Sequence, residues 1–209
     1  MSYLRTLLDT AALQRGFLTP DDARELGVPT VELSKMASRG ALDHRSYGVY
    51  RIAGYPAAPG DELMEAVLWA GGGLISHESA LAHWALADAN PRRIHITVPR
   101  RVRRAGGDAY RLWIASVAPR DVDERLGIPV TSPARTIDDC AVSGTDPGLI
   151  DQAVQTAVRR DLISRGDRER FIDRAGSTAP ARRSHRYRRD ARGGEPVRTE
   201  AGLQGRRRL

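Results

Sequence analysis

Hydrophobic positions fall on helical spacing from the first residues of the chain. Leu4, Leu7, Leu8 and Ala11 share one face of a helix predicted over residues 3–14, with Ala12 beside it. The stretch that organises the rest covers residues 17–52 and reads as helix, tight turn, helix and short β-hairpin, the order of a winged helix-turn-helix. Thr19 suits an N-cap, Pro20 the first helical position, and Asp21 and Asp22 put negative charge in the first turn. Gly27 accepts the left-handed backbone of a helix end, Pro29 blocks a continuous helix, and Thr30 is expected to cap the next one. Ala23 and Leu26 point inward. In the following helix Leu33, Met36 and Ala37 meet at i, i+3 and i+4, so Val31, Lys35 and Ser38 lie opposite, flanked by Ser34 and Arg39. Gly40 ends it. Residues 42–45 and 48–52 then read as paired strands, with Arg45 and Tyr47 at the tip and Tyr50 covering the small core.

Beyond residue 53 the pattern changes to a mixed α/β (α+β) unit. AGYPAAPG reads as a linker. A helix over residues 61–69 is capped by Asp61, with Leu63, Val67 and Met64 as its apolar positions. The glycines at 71–73 lead to a helix capped by Ser76, with Leu81, Trp84 and Ala85 inside. Residues 94–98 and 110–114 alternate as strands, joined by PRRVRRAGGD, which reads as a hairpin loop carrying Arg100, Arg101, Arg103 and Arg104. A strand at 128–130 and helices starting at Ser132 and covering 149–158 and 164–175 complete the unit. Strand order does not follow from the pattern. The final stretch has no apolar period and is expected to be disordered. The predicted organisation is therefore a winged helix-turn-helix in 1–53, a larger α/β domain in 60–176 and a basic tail in 177–209.

Charge sharpens this division. The 209 residues carry a net charge of +7. Residues 1–53 hold 7 basic and 6 acidic side chains, 54–178 hold 16 and 17, and 179–209 hold 10 and 3. The excess lies in the tail, so the high isoelectric point does not by itself make the folded part a nucleic-acid binder. Lys35 is the only lysine. No apolar run approaches the ~18 residues of a membrane span. The single cysteine, Cys140, excludes an internal disulfide and a cysteine-based zinc site, and a reducing cytoplasm is expected.

Candidate chemistry is sparse. A Walker-type loop needs a lysine after glycine, which the chain lacks. His77 and His83 are six apart, unlike a helical metal pair. His95 reads as a satisfied structural residue, and the neighbouring Asp138 and Asp139 diverge on a helix. Cys140 sits in apolar surroundings that favour an inert thiol. No catalytic residue, cofactor or metal is nominated. Two places carry binding chemistry. On the second helix of the helix-turn-helix, hydroxyls, long cations and a small apolar group suit a major groove, with Val31, Ser34 and Lys35 for base readout. Thr30, Ser38, Arg39, Arg45 and Tyr47 would meet the backbone. An ordinary solvated helix face is the alternative. Arg100, Arg101, Arg103 and Arg104 suit phosphate or carboxylate recognition, against a loop that merely keeps a sheet edge soluble.

The run GFLTPDDARELGVPTVELSKMASRGALDHRSYGVYRI resembles the N-terminal domain of AbiEi-family antitoxins. GGGLISHESALAHWALADANPRRIHITVPRR and GIPVTSPARTIDDCA are similar to segments of their second domain. The resemblance covers roughly residues 3–175. It implies a DNA-binding antitoxin that represses its own operon at operator DNA and neutralises a cognate AbiEii-type nucleotidyltransferase toxin. Neutralisation by blocking, by indirect counteraction, or by an enzymatic modification such as phosphoryl transfer all remain open, as does the oligomeric state. Rival readings are a stand-alone repressor with a sensor domain and a winged helix used only for protein docking.

Overall fold

A computed structural model describes residues 3–176; the tail predicted at 177–209 lies outside them. The chain runs through α1 (Tyr3–Leu13), β1 (Phe17–Leu18), α2 (Pro20–Glu25), α3 (Val31–Ser38), β2 (Leu42–Ser46) and β3 (Val49–Ile52). These form a helix-turn-helix with a three-stranded antiparallel sheet in the order β1-β3-β2. The α2 start is a full capping box. The Asp22 amide donates to Thr19 Oγ1 at 3.3 Å, and the Thr19 amide and hydroxyl both donate to Asp22 Oδ2 at 2.7 Å. Leu7, Ala11, Leu18, Ala23, Val28, Leu33, Met36 and Leu42 bury together, as the i, i+3, i+4 spacing requires.

The second unit continues with α4 (Asp61–Trp69), β4 (Leu74–Ile75), α5 (His77–Trp84), β5 (Ile94–Val98), β6 (Tyr110–Ile114), β7 (Val122–Arg125), β8 (Ile128–Thr131), α6 (Pro133–Ser143), α7 (Pro147–Arg159) and α8 (Arg165–Gly176). Its five strands order as β6-β5-β4-β8-β7. The sheet is mixed, because β5 and β6 are parallel, β4 and β8 are parallel, and the other two pairings are antiparallel. Ile75, Ile96, Ile128, Val130, Leu81, Ile137, Ala153 and Ala157 form a core between the sheet and its helices. Gly73 at φ +140° sits where a Cβ would lie 2.9 Å from the Thr97 carbonyl oxygen, so only glycine lets β4 lie down on β5.

Leu8, Leu26 and Ala85, expected to face inward, are exposed, and four expectations about caps and connections are corrected. Residues 99–109 are not a hairpin loop, because β5 and β6 are parallel and the segment crosses from the end of one strand to the start of the other. Thr30 has helical backbone angles and no side-chain cap bond; it precedes α3 without capping it. The residue ahead of α4 is Gly60, in the left-handed region, and the Asp61 carboxylate turns to cationic partners instead. Ser76 does precede α5, but its hydroxyl accepts from Thr97 Oγ1 at 2.8 Å and makes no cap bond.

The two units share a junction built on Asp61. Arg15 Nε donates to Asp61 Oδ1 at 2.9 Å, and Arg51 Nη2 and the Ala58 amide donate to Oδ2 at 2.6 and 2.9 Å. Arg51 also donates to the Pro56 carbonyl, and Arg15 to the Pro59 and Leu126 carbonyls. Burial opposes ionisation of Asp61. The Ala58 amide and the two guanidinium groups outweigh it and hold the carboxyl below its usual range. The AGYPAAPG segment is thus pinned at both ends. Gly16, at φ +85°, tightens it further, since any Cβ there would run into the Tyr55 ring. Phe17 and Val49 of the small sheet bury in the core of the larger unit.

Candidate functional site

The outward face of α3 carries the predicted set. Val31 is 54% exposed, and Ser34, Lys35, Ser38 and Arg39 are exposed with it. Neighbouring contacts already engage several of them. Lys35 Nζ pairs with Glu32 Oε1 at 2.8 Å, Ser38 Oγ donates to the Lys35 carbonyl at 2.9 Å, and Ser34 Oγ lies 3.2 Å from the Tyr50 hydroxyl. Arg39, in the C-cap position, has no ion pair among the described residues. Exposed Thr30 adds a hydroxyl at the start of α3.

The wing is short. Ser46 pairs with Val49 after an irregularity in β2, leaving Tyr47 and Gly48 as the turn, with Gly48 at φ +69°. Tyr47 stands 61% exposed at that turn. Arg45 is differently placed, because Nε reaches Glu65 Oε2 on α4 at 3.4 Å, tying the wing to the second unit. Two residues outside the predicted set join this surface. His44 and Tyr50 pack ring to ring at 5.0 Å on paired positions of β2 and β3, and Tyr50 links that pair to Ser34. Alternation along the hairpin puts His44 and Tyr50 on one face, but only the register shows that they pair.

The second concentration of polar chemistry lies along the edge strand β6. A groove of about 1100 Å³ runs there, and its lining includes Arg92, Arg93, Arg101, Arg103, Arg104 and Arg111 against two carboxylates, Glu78 and Asp108. Of the four arginines predicted in the connection, three line this groove. Arg104 is structural: it donates to the Trp69 carbonyl at 2.6 Å and the Leu68 carbonyl at 3.3 Å, satisfying the end of α4. Trp69 in turn donates from Nε1 to the Ala105 carbonyl at 2.9 Å and packs on Tyr110, which holds the crossover down. Arg100 is exposed and stands outside the groove lining.

Beneath the arginines is a buried polar cluster. Parallel register sets His95 beside Arg111 and Thr97 beside Trp113 on one sheet face. Both imidazoles pack here: His77 stacks on Trp113 at 3.9 Å and His95 meets Trp113 edge-on at 5.9 Å, while the Arg111 guanidinium lies 4.5 Å over the Trp113 ring. His77 has φ +52°, a strained conformation for a buried side chain at a strand-to-helix turn. Burial, with help from His95, Arg111 and Arg135, pushes its pKa down to about 2. Burial also lowers His95 to about 4, with Arg111 adding to the effect and Glu78 opposing it. Both rings are therefore neutral near pH 7. The expectation of a fully satisfied His95 does not hold, because its buried Nδ1 has no hydrogen-bond partner among the described residues. The Cys140 thiol is pushed up by burial, as an inert core thiol should be. Asp138 and Asp139 diverge, the first pairing with Arg170 and the second with buried Arg135. No helix among the described residues is long and apolar enough to cross a membrane.

Comparison with known proteins gives two family matches. Residues 71–189 match the profile described as AbiEi antitoxin C-terminal domain, and residues 5–53 match the one described as transcriptional regulator, AbiEi antitoxin. No curated protein matches the chain at a significant level. Among solved structures, the crystal structure of the RV2827C protein from Mycobacterium tuberculosis is similar at 16% identity, covering 82% of this chain and 71% of that chain, with a TM-score of 0.48.

Proposed function

This chain belongs to the AbiEi antitoxin family, and from that premise we infer that it represses its own operon and neutralises a cognate AbiEii-type nucleotidyltransferase toxin. The family supplies the antitoxin role and DNA-binding regulation in general terms; the operator contact and the toxin partner are the present proposal. The observation that carries the DNA reading is the outward face of α3, where Val31, Ser34, Lys35, Ser38 and Arg39 lie in the open on a helix fixed by its own core. In this reading α3 enters the major groove. Val31, Ser34 and Lys35 face base edges, and Thr30, Ser38, Arg39 and Tyr47 meet phosphates. Arg45 would first have to leave Glu65, which makes it a conditional contact.

The experiment is a mobility-shift titration of the full chain on DNA from upstream of its own gene, at moderate salt. The double variant Lys35→Ala, Arg39→Ala should weaken binding at least tenfold, each missing cation removing about 1 kcal/mol or more. Unchanged affinity removes α3 from the interface. Co-purification with the neighbouring nucleotidyltransferase then tests the partner.

A further inference from the structure

We propose that the arginine-lined groove along β6 is a binding site for a short single-stranded nucleic-acid segment, separate from the helix-turn-helix. Three observations carry it. The first is where the charge stands. Arg92 and Arg93 precede β5, Arg101 and Arg103 follow it, and Arg111 lies on the neighbouring β6. The five residues of β5 extend roughly 16 Å, so guanidinium groups stand at both ends of a strand-length groove rather than around one point. That spacing suits successive phosphates of an extended chain better than the compact phosphates of a free nucleotide. The second is that this charge is unspent. Arg92, Arg93, Arg103 and Arg111 make no ion pair among the described residues, whereas the α3 lysine is already paired. Arginine is suited to phosphate through its planar fork of donors.

The third observation separates a nucleotide chain from an arbitrary polyanion. The lining is not uniformly cationic. Glu78 and His95 also border the groove. His95 is only 5% exposed, and its Nδ1 is left without a hydrogen-bond partner among the described residues. Glu78 takes one bond on Oε1, from Thr145 Oγ1 at 3.0 Å. The Glu78 carboxylate repels a phosphate and only accepts, and an unprotonated His95 Nδ1 is likewise an acceptor, so both suit a ribose hydroxyl or a base amino group. Phosphates on the arginines and one sugar or base edge against Glu78 and His95 would satisfy both halves of the groove. A polyanion whose side chains are all carboxylates would satisfy only the first.

The groove has its own reporter. The chain has three tryptophans, and two of them, Trp69 and Trp113, line it, while residues 1–53 contain none. Intrinsic fluorescence therefore reads occupancy here and not at the winged helix. The full-length protein is titrated with a twelve-nucleotide single-stranded RNA, with ATP and with poly-glutamate of matched charge. The RNA is expected to quench the emission saturably. The exposed-site variants Arg93→Glu and Arg103→Glu should weaken it at least tenfold each. The neutral Arg93→Gln, Arg103→Gln pair should lower the salt slope by about 1.4, near 0.7 for each phosphate left without its cation. Lys35→Ala, Arg39→Ala should leave the quenching unchanged, so failure here and failure of operator binding are distinguishable. The proposal falls if RNA does not quench, if the groove variants respond like the parent, if poly-glutamate competes as well as RNA, or if ATP binds as tightly as the strand.

Discussion

The exposed face of α3 and the groove along β6 handle positive charge in opposite ways. On α3 the cations are few and partly occupied: Lys35 is held by Glu32, and on the wing Arg45 is held by Glu65. Along β6 six arginines face two carboxylates, inside a unit that has one more acid than base overall. Net charge per segment therefore misjudges both regions. The helix-turn-helix depends on a small number of placed side chains, and the larger unit concentrates charge locally by placing acids elsewhere, as in the Arg135–Asp139 and Arg170–Asp138 pairs. Placement separates these regions, and composition does not.

The contrast can be broken most forcefully with acid. His95 in the native protein holds its proton only below about 4, whereas an unfolded histidine takes one near 6.5. Between those values the unfolded chain binds the extra proton, so stability is complete above 6.5 and falls as pH drops towards 4. Integration over that window gives about 3 kcal/mol from this ring alone, and His77 acts in the same direction. Denaturant melts followed by tryptophan emission at pH 7 and pH 4.5 should show the loss. His95→Gln or a similar neutral replacement should remove the share of His95 and leave that of His77, and a flat parent curve would mean that the rings are not buried as described.

A second test addresses the junction. Asp61→Ala leaves Arg15 and Arg51 facing each other without their shared acceptor and should cost about 3 kcal/mol in thermal or urea unfolding. Because the native Asp61 pKa is depressed, its contribution is present above about 4 and is lost as pH falls further. Its pH window thus lies below that of His95. The smallest effect concerns the wing. Glu65→Gln releases Arg45 from an exposed pair worth no more than about 1 kcal/mol. It should raise operator affinity by less than about threefold and leave stability unchanged; a loss of affinity would show that Arg45 serves the junction only.

Much of the first unit was legible because its signals are local. Thr19, Pro20 and Asp22 specify a helix start within four residues, and Leu33, Met36 and Ala37 specify a buried face within two turns. The two-residue strands β1 and β4 were not legible, since two residues carry no period and their partners lie far along the chain, as Phe17 with Arg51, Leu74 with Thr97 and Ile75 with Val130 do. The parallel course of β5 and β6 was hidden for the same reason. An arginine-rich connection looks like a turn until the register shows Ile94 beside Tyr110 rather than Ile114. That single fact moved Arg104 from a candidate binding residue to the end of α4. It also brought Arg111 and Trp113, which no motif marked, beside His95 and Thr97.

The junction at Asp61 bears on how such proteins can be exchanged part for part. Two of its guanidinium groups, Arg15 and Arg51, come from the reading head, and their acceptor comes from the first residue of the body's first helix. Grafting a foreign winged helix onto this body would leave a carboxylate without its cations, and grafting this head elsewhere would leave two cations without their carboxylate. Head and body are therefore interchangeable only as a matched set, and a chimera should be cut before Arg15 or after Asp61, never between them.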